Sequence, residues 1–436
     1  MYRSLHIPKF IMGLLMFLYV YPLNFSFLPM IPSTRVMMGV FGGLMFILSN
    51  INKRCLLIEK DLSNVFLSLF LIVVITVISC INNHTTDYEM IIYPISVFLI
   101  ICASFFYSKI YKSITRQDLK VDVVAELFIS SVTIQGAIAV AMFLNPNIRE
   151  LLLSLLKTSE VDAMLFDQTD GFRLVGFGAS FFSAGVINVF ALILMGYRFR
   201  CMQNPNTMKI ILFFIQYLWI AFIGILMSRT TMLGIAFSFV IILYSSKIRS
   251  LKLSLKALSF VKGLLVLSIL IITIFLIIPR QVIYEYEDVT NWAFELFINY
   301  SENKSLESAS TNRLLEMLQT LPSQGKTWVI GDGRWIDKYG HYYMQTDVGY
   351  LRLVFYIGLI GTLAYFHYQY RLLKILKTRL FAEISIVSTI IFGSLLILNI
   401  KGFTDYVSYL ALFFFAKPDY FVRHDIKSLT ASSRQY

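Results

Sequence analysis

Charge is scarce in this chain. Asp, Glu, Lys and Arg make up 15% of its 436 residues, against a hydrophobic share of 57%. That balance excludes an ordinary soluble domain, in which about a quarter of residues are charged. Cysteine is sparse too, with Cys55, Cys80, Cys102 and Cys201 alone. None of them falls in the two long polar intervals of the chain, which excludes a disulfide framework or a Cys-based metal site there. The five histidines, His6, His84, His341, His367 and His424, are scattered and make no metal-ligating cluster, so neither a metal nor another cofactor is expected. The phosphate-binding P-loop, His-Glu-x-x-His and Gly-x-Ser-x-Gly are all missing. Internal repeats and low-complexity linkers are missing as well, and residues 1–436 read as a single integral membrane domain.

What the chain has in abundance is apolar runs. Mean hydropathy is +0.70, and a run of about 20 apolar residues is enough to cross the hydrocarbon core. Such runs predict spans over 10–30, 36–51, 62–81, 90–107, 121–144, 179–199, 209–227, 230–246, 259–278, 348–370, 384–400 and 404–417. No backbone crosses lipid with its polar groups unpaired, so the expected fold is an all-α polytopic membrane protein of about 12 helices. Arg3 and Lys9 precede the first run as in a signal peptide. The run continues past Pro22 without a small-residue cleavage motif, so a retained first span is expected.

The net charge of +12 is a topology signal. Of the 38 Lys and Arg residues, 24 fall in segments on the side of the N-terminus and 12 in the connections opposite, with Lys262 and Arg352 inside spans. This is the positive-inside asymmetry, not a nucleic-acid footprint, and no nucleic-acid partner is expected. Both termini are therefore expected in the cytoplasm, with the intervals 145–178 and 280–346 facing out. The second is 67 residues long, and long connections of that kind are functional or disordered. Trp292, Trp328 and Trp335 favour order.

Four outward-facing segments carry candidate chemistry. Arg173 stands among Gly171, Gly176 and Gly178, where glycines allow close backbone approach; a flexible turn with a solvated Arg is the plain alternative. Arg229, in Ser228-Arg229-Thr230-Thr231, joins two spans with almost no connection. It needs a partner, a polar cavity, or a path to lipid phosphates. Arg313 follows Ser310-Thr311-Asn312, which predict a helix cap, and precedes Leu314, Leu315, Leu318 and Leu321 on an apolar face. The helix dipole disfavours a cation in a first turn, so an anionic ligand competes there with a pair to Glu316. Asp347 stands where the chain re-enters the membrane, ahead of Arg352. It reads either as an ion-pair partner of that Arg or as a group that orients or deprotonates a hydroxyl. His341 is a second candidate base, or a structural histidine.

These segments, with Gly331-Asp332-Gly333, Thr346-Asp347-Val348-Gly349-Tyr350 and Gly358-Leu359-Ile360-Gly361, resemble the O-antigen polymerase (Wzy) and O-antigen ligase superfamily of bacterial envelope glycosyltransferases. The resemblance implies an inner-membrane enzyme whose two enlarged loops are periplasmic. Its substrate would be an oligosaccharide repeat unit on undecaprenyl pyrophosphate, transferred to the non-reducing end of another such unit. It implies Arg173, Arg229 and Arg313, with Asn312, Gly331 and Gly333, at the pyrophosphate and substrate, and Asp347 or His341 as base. Membrane lipids and a chain-length regulator protein are the implied partners. An O-antigen ligase, which would transfer glycan to lipid A core with a large-loop His as base, is the first alternative. A flippase for lipid-linked oligosaccharide is the second.

Overall fold

The computed structural model of the protein describes residues 6–28, 33–51, 60–157, 173–179, 181–202, 207–244, 287–304, 308–379 and 385–417. The predicted span 259–278, the start of the long interval, and Gly171 lie outside them. Regular structure among the described residues is helical, with isolated β-bridges only at Phe25–Leu156, Lys120–Lys417 and Ile336–Tyr342. In chain order the helices are α1 (His6–Val20), α2 (Thr34–Asn50), α3 (Lys60–Asn83), α4 (Glu89–Thr115), α5 (Val121–Leu144), α6 (Pro146–Ser154), α7 (Phe181–Cys201) and α8 (Thr207–Met227). They continue as α9 (Thr231–Leu243), α10 (Glu287–Asn303), α11 (Ala309–Gln319), α12 (Gly325–Ile330), α13 (Gly349–Arg379), α14 (Ser385–Lys401) and α15 (Val407–Phe414).

Six of these, in α3, α4, α5, α7, α8 and α13, are long and apolar enough to cross a membrane. The other predicted spans among the described residues are shorter as helices, α9 having 13 residues and α15 only 8. At 1.5 Å per residue an 8-residue helix covers about 12 Å, well short of a bilayer core.

The first predicted span ran to residue 30, but α1 stops at Val20, just ahead of Pro22. Its open carbonyl end is closed by the start of α2. The Thr34 hydroxyl donates to the Leu18 carbonyl (2.7 Å), and the Arg35 guanidinium donates to those of Tyr19 (2.7 Å) and Val20 (2.9 Å). A cation belongs at a helix C-terminus, where the dipole is negative.

The chain divides into two compact units. One comprises Met1–Leu23, Met30–Leu127 and Ala309–Tyr436. Here α2 lies against α4 so closely that side chains at Gly39 and Gly42 would run into the backbone of Leu99 and Cys102, the small-residue packing common between membrane helices. Its centre is α13, which is not one continuous helix. Gly358 has φ 68 and ψ −176, a combination open only to glycine, and the break releases carbonyls that a straight helix would use. The Gly331-Asp332-Gly333 turn takes them up. Asp332 N–H donates to the Phe355 carbonyl (2.5 Å) and Gly333 N–H to that of Tyr356 (3.1 Å). The Ser79 hydroxyl of α3 also donates to Tyr356 (2.9 Å). Gly331 itself has φ 76, and a Cβ there would strike Tyr356. A polar connecting segment thus completes the backbone of a broken apolar helix.

The other unit comprises Asn24–Pro29 and Phe128–Ser308. Helix α7 is buried along most of its length, from Ala184 to Tyr197, and α9 meets it at Gly234, which faces Val189. A second packing centre joins Ala139 of α5, Ile223 and Met227 of α8, and Val289 and Ala293 of α10. The Trp219 indole N–H donates to the Thr133 carbonyl (3.1 Å) and the Tyr217 hydroxyl pairs with Ser238 (2.7 Å), as buried polar groups usually do, whereas the Gln135 amide is buried without a partner among the described residues.

Candidate functional site

Within the second unit, two arginines meet on one indole. Helix α8 ends at Met227 and α9 begins at Thr231, with the Thr231 N–H bonded to the Ser228 carbonyl (2.9 Å). This tight turn leaves Arg229 at the corner. Beside it runs the short extended stretch from Arg173, fixed by a backbone bond from Leu174 N–H to the Leu226 carbonyl (3.1 Å). Gly176 lets that stretch approach; a Cβ there would collide with Ala179, Gln135 and Met227. Helix α10 supplies Trp292 and Glu295, one turn apart and so on one face.

The Arg173 guanidinium carbon lies 4.3 Å from the ring centre of Phe181 and 4.9 Å from that of Trp292. The Arg229 guanidinium carbon lies 4.9 Å from the Trp292 ring centre. Cation–π contacts of this sort contribute about 0.5–2 kcal/mol each. Arg229 also forms an ion pair of 2.6 Å with Glu295. Arg173 has no such pair among the described residues. Its Nη2 donates to the Met227 carbonyl (3.0 Å) and its Nε is buried without a hydrogen-bond partner. Burial, and then the like charge of Arg229, lowers the Arg173 pKa to about 10, so it stays protonated at neutral pH. Among the described residues Glu295 pairs with Arg229, and the second cation, Arg173, suits an oxyanion, which arginine holds bidentately.

The remaining predicted site residues belong to the first unit. Helix α11 begins at Ala309, so Ser310, Thr311 and Asn312 lie inside its first turn rather than ahead of it as a cap, and Asn312 and Arg313 are both exposed. The inner face of α11 packs through Leu314 and Met317 on Val348, Leu351 and Phe355. Gly331 and Gly333 are buried, their N–H groups taken by the carbonyls of Thr327 and Tyr356. His341 is exposed and stands 3.7 Å from Asp337. Desolvation pushes the Asp337 carboxyl upward, but N–H donors from Tyr339, His341 and Gly340 and the nearby imidazole outweigh it and hold the pKa below the usual range. Asp347 is half-buried, with its N–H directed to the Met317 sulfur (3.3 Å). It forms no ion pair with Arg352 among the described residues; that guanidinium is held instead between the rings of Trp335 and Tyr342.

Arg173 and Arg229, far apart in sequence, are thus brought together. Glu295 and Phe181 were not singled out from the sequence, and Trp292 was read there only as a sign of order in the long interval. A Trp and a Glu one turn apart in a long polar interval were the available signal, without any indication of which arginine they meet. No family model, no curated protein and no solved structure matches the chain.

Proposed function

We propose that the protein is a polymerase of lipid-linked oligosaccharide repeat units, working at the outer face of a bacterial inner membrane. The observation that supports this reading best is the pair of guanidiniums on Trp292, of which only that of Arg229 is paired with a carboxylate among the described residues. An enzyme that cleaves a glycosyl pyrophosphate needs fixed positive charge on the departing phosphates. In the proposed reaction an acceptor hydroxyl oxygen bonds to the anomeric carbon as its bond to pyrophosphate oxygen breaks. The lipid pyrophosphate leaves with the electron pair, and the hydroxyl proton passes to a base. Arg173 and Arg229 are assigned to the leaving group. A role for Asp347 as a base is a separate proposal from its carboxylate chemistry alone, tested by Asp347→Asn.

The decisive assay supplies purified full-length protein in detergent with undecaprenyl-pyrophosphate-linked repeat units and resolves the products by chain length. Polymer is expected from the wild type. Arg173→Ala and Arg229→Ala should each lower the rate about 100-fold, equivalent to about 2.7 kcal/mol of barrier. Detergent leaves no sealed compartment, so polymer formation also rules out a pure flippase. Transfer to lipid A core in place of chain growth would favour the ligase, and wild-type rates in both variants would remove the pyrophosphate assignment.

A further inference from the structure

The first unit contains a second guanidinium whose surroundings go beyond the proposed reaction. Arg352 lies in the first turn of α13 and is 8% exposed. Its guanidinium carbon sits 3.9 Å from the ring centre of Trp335 and 3.6 Å from that of Tyr342. Trp335 is held in turn by edge contacts with Tyr356 (5.7 Å) and Phe403 (5.1 Å). Its backbone is anchored by Asp87, whose Oδ2 accepts from the N–H groups of Trp335 (2.6 Å) and Ile336 (3.4 Å). One aromatic wall is therefore rigid, and the other, Tyr342, is 44% exposed at the surface.

Rings over both faces of a guanidinium leave only its edge, the direction in which all five N–H bonds point. Along that edge the Nε is buried with no hydrogen-bond partner, and no carboxylate among the described residues pairs with the group. The Tyr342 hydroxyl is its main polar neighbour, and Asp347 and Glu89 act on it as neighbouring charges. A buried cation without a counter-ion is costly, and the helix N-terminus on which it sits favours negative charge. An aromatic staple alone would not require a buried Nε without a partner.

We propose that Trp335, Tyr342 and Arg352 form an oxyanion-binding slot, which accepts two oxygens of one carboxylate or phosphate in the plane of the guanidinium. The two sources of that chemistry are an acidic sugar and a phosphate. The slot does not depend on the polymerase reading, because it is tested by binding alone.

The test titrates full-length protein in a phosphate-free maltoside detergent and follows tryptophan fluorescence, with Trp335→Phe identifying the signal from the slot. The probes are methyl β-glucuronide, its neutral counterpart methyl β-glucoside, and inorganic phosphate. Saturable binding of glucuronide is expected if the slot reads an acidic sugar, and of phosphate if it reads a phosphate. Arg352→Lys keeps the charge but loses the planar fork, and should weaken binding at least 10-fold. Arg352→Gln should abolish it, with thermal melting to check folding. Equal response to the glucoside, no response to either anion, or unchanged affinity in Arg352→Lys would overturn the proposal.

Discussion

Removing Glu295 should harm the protein more than removing Glu295 and Arg229 together. The Glu295→Gln change leaves Arg229, whose side chain is only 10% exposed, without its carboxylate and beside the like charge of Arg173. Breaking one partner of a buried pair is the expensive case. Because Glu295 is 25% exposed, a cost of about 1–3 kcal/mol is expected rather than the full value for a dry interior. Adding Arg229→Gln removes the stranded cation and should recover most of the loss, measured by thermal melting in detergent. Additive losses in the double variant would mean that the two charges do not compensate each other. The arginines themselves were legible in the sequence, Arg229 because a cation joining two apolar runs needs company and Arg173 because glycines surround it. Their partners were not. Helical periodicity gives the face on which Trp292 and Glu295 sit, but not which element that face meets.

The broken helix α13 is the element whose sequence was most misleading. Hydropathy is continuous across residues 348–370, and a window that averages side chains cannot register a single backbone dihedral. Gly358 and Gly361 stood in a noted motif, yet only the structure distinguishes a glycine needed for its φ from one needed for its size. This difference is measurable. Gly358→Ala places a Cβ on the Val329 carbonyl at φ 68, and should destabilise by about 3 kcal/mol or more through strain and collision. At Gly393, inside α14, a methyl group would meet nothing within 4 Å, so Gly393→Ala should be neutral or stabilising by up to about 1 kcal/mol. Thermal melting of the two variants checks both, and a Gly358→Ala protein as stable as wild type would show that the break is not required. The C-terminal end of α1 was more readable, since Pro22 stood just beyond the stop. The span prediction failed there by giving apolar character priority over the missing N–H.

At the scale of the whole molecule, helices and sidedness come from different sources. Among the described residues, six helices can cross a membrane by length and composition, but helix geometry does not say which end faces the cytoplasm. Only the distribution of Lys and Arg carries that, because basic side chains near short connections are retained on the cytoplasmic side. The prediction is therefore specific to two exposed positions. Ser113 lies near the C-terminal end of α4, and Ser323 lies in the connection between α11 and α12; both are exposed. In a background with the four native cysteines replaced, Ser323→Cys should react with a membrane-impermeant maleimide in cells whose outer membrane alone is opened. Ser113→Cys should react only after the inner membrane is permeabilised. The reverse pattern would place the connection before α13 in the cytoplasm. Undecaprenyl-linked units presented at the outer face could not then reach that connection, and the outward-facing long interval that the polymerase proposal needs would be lost.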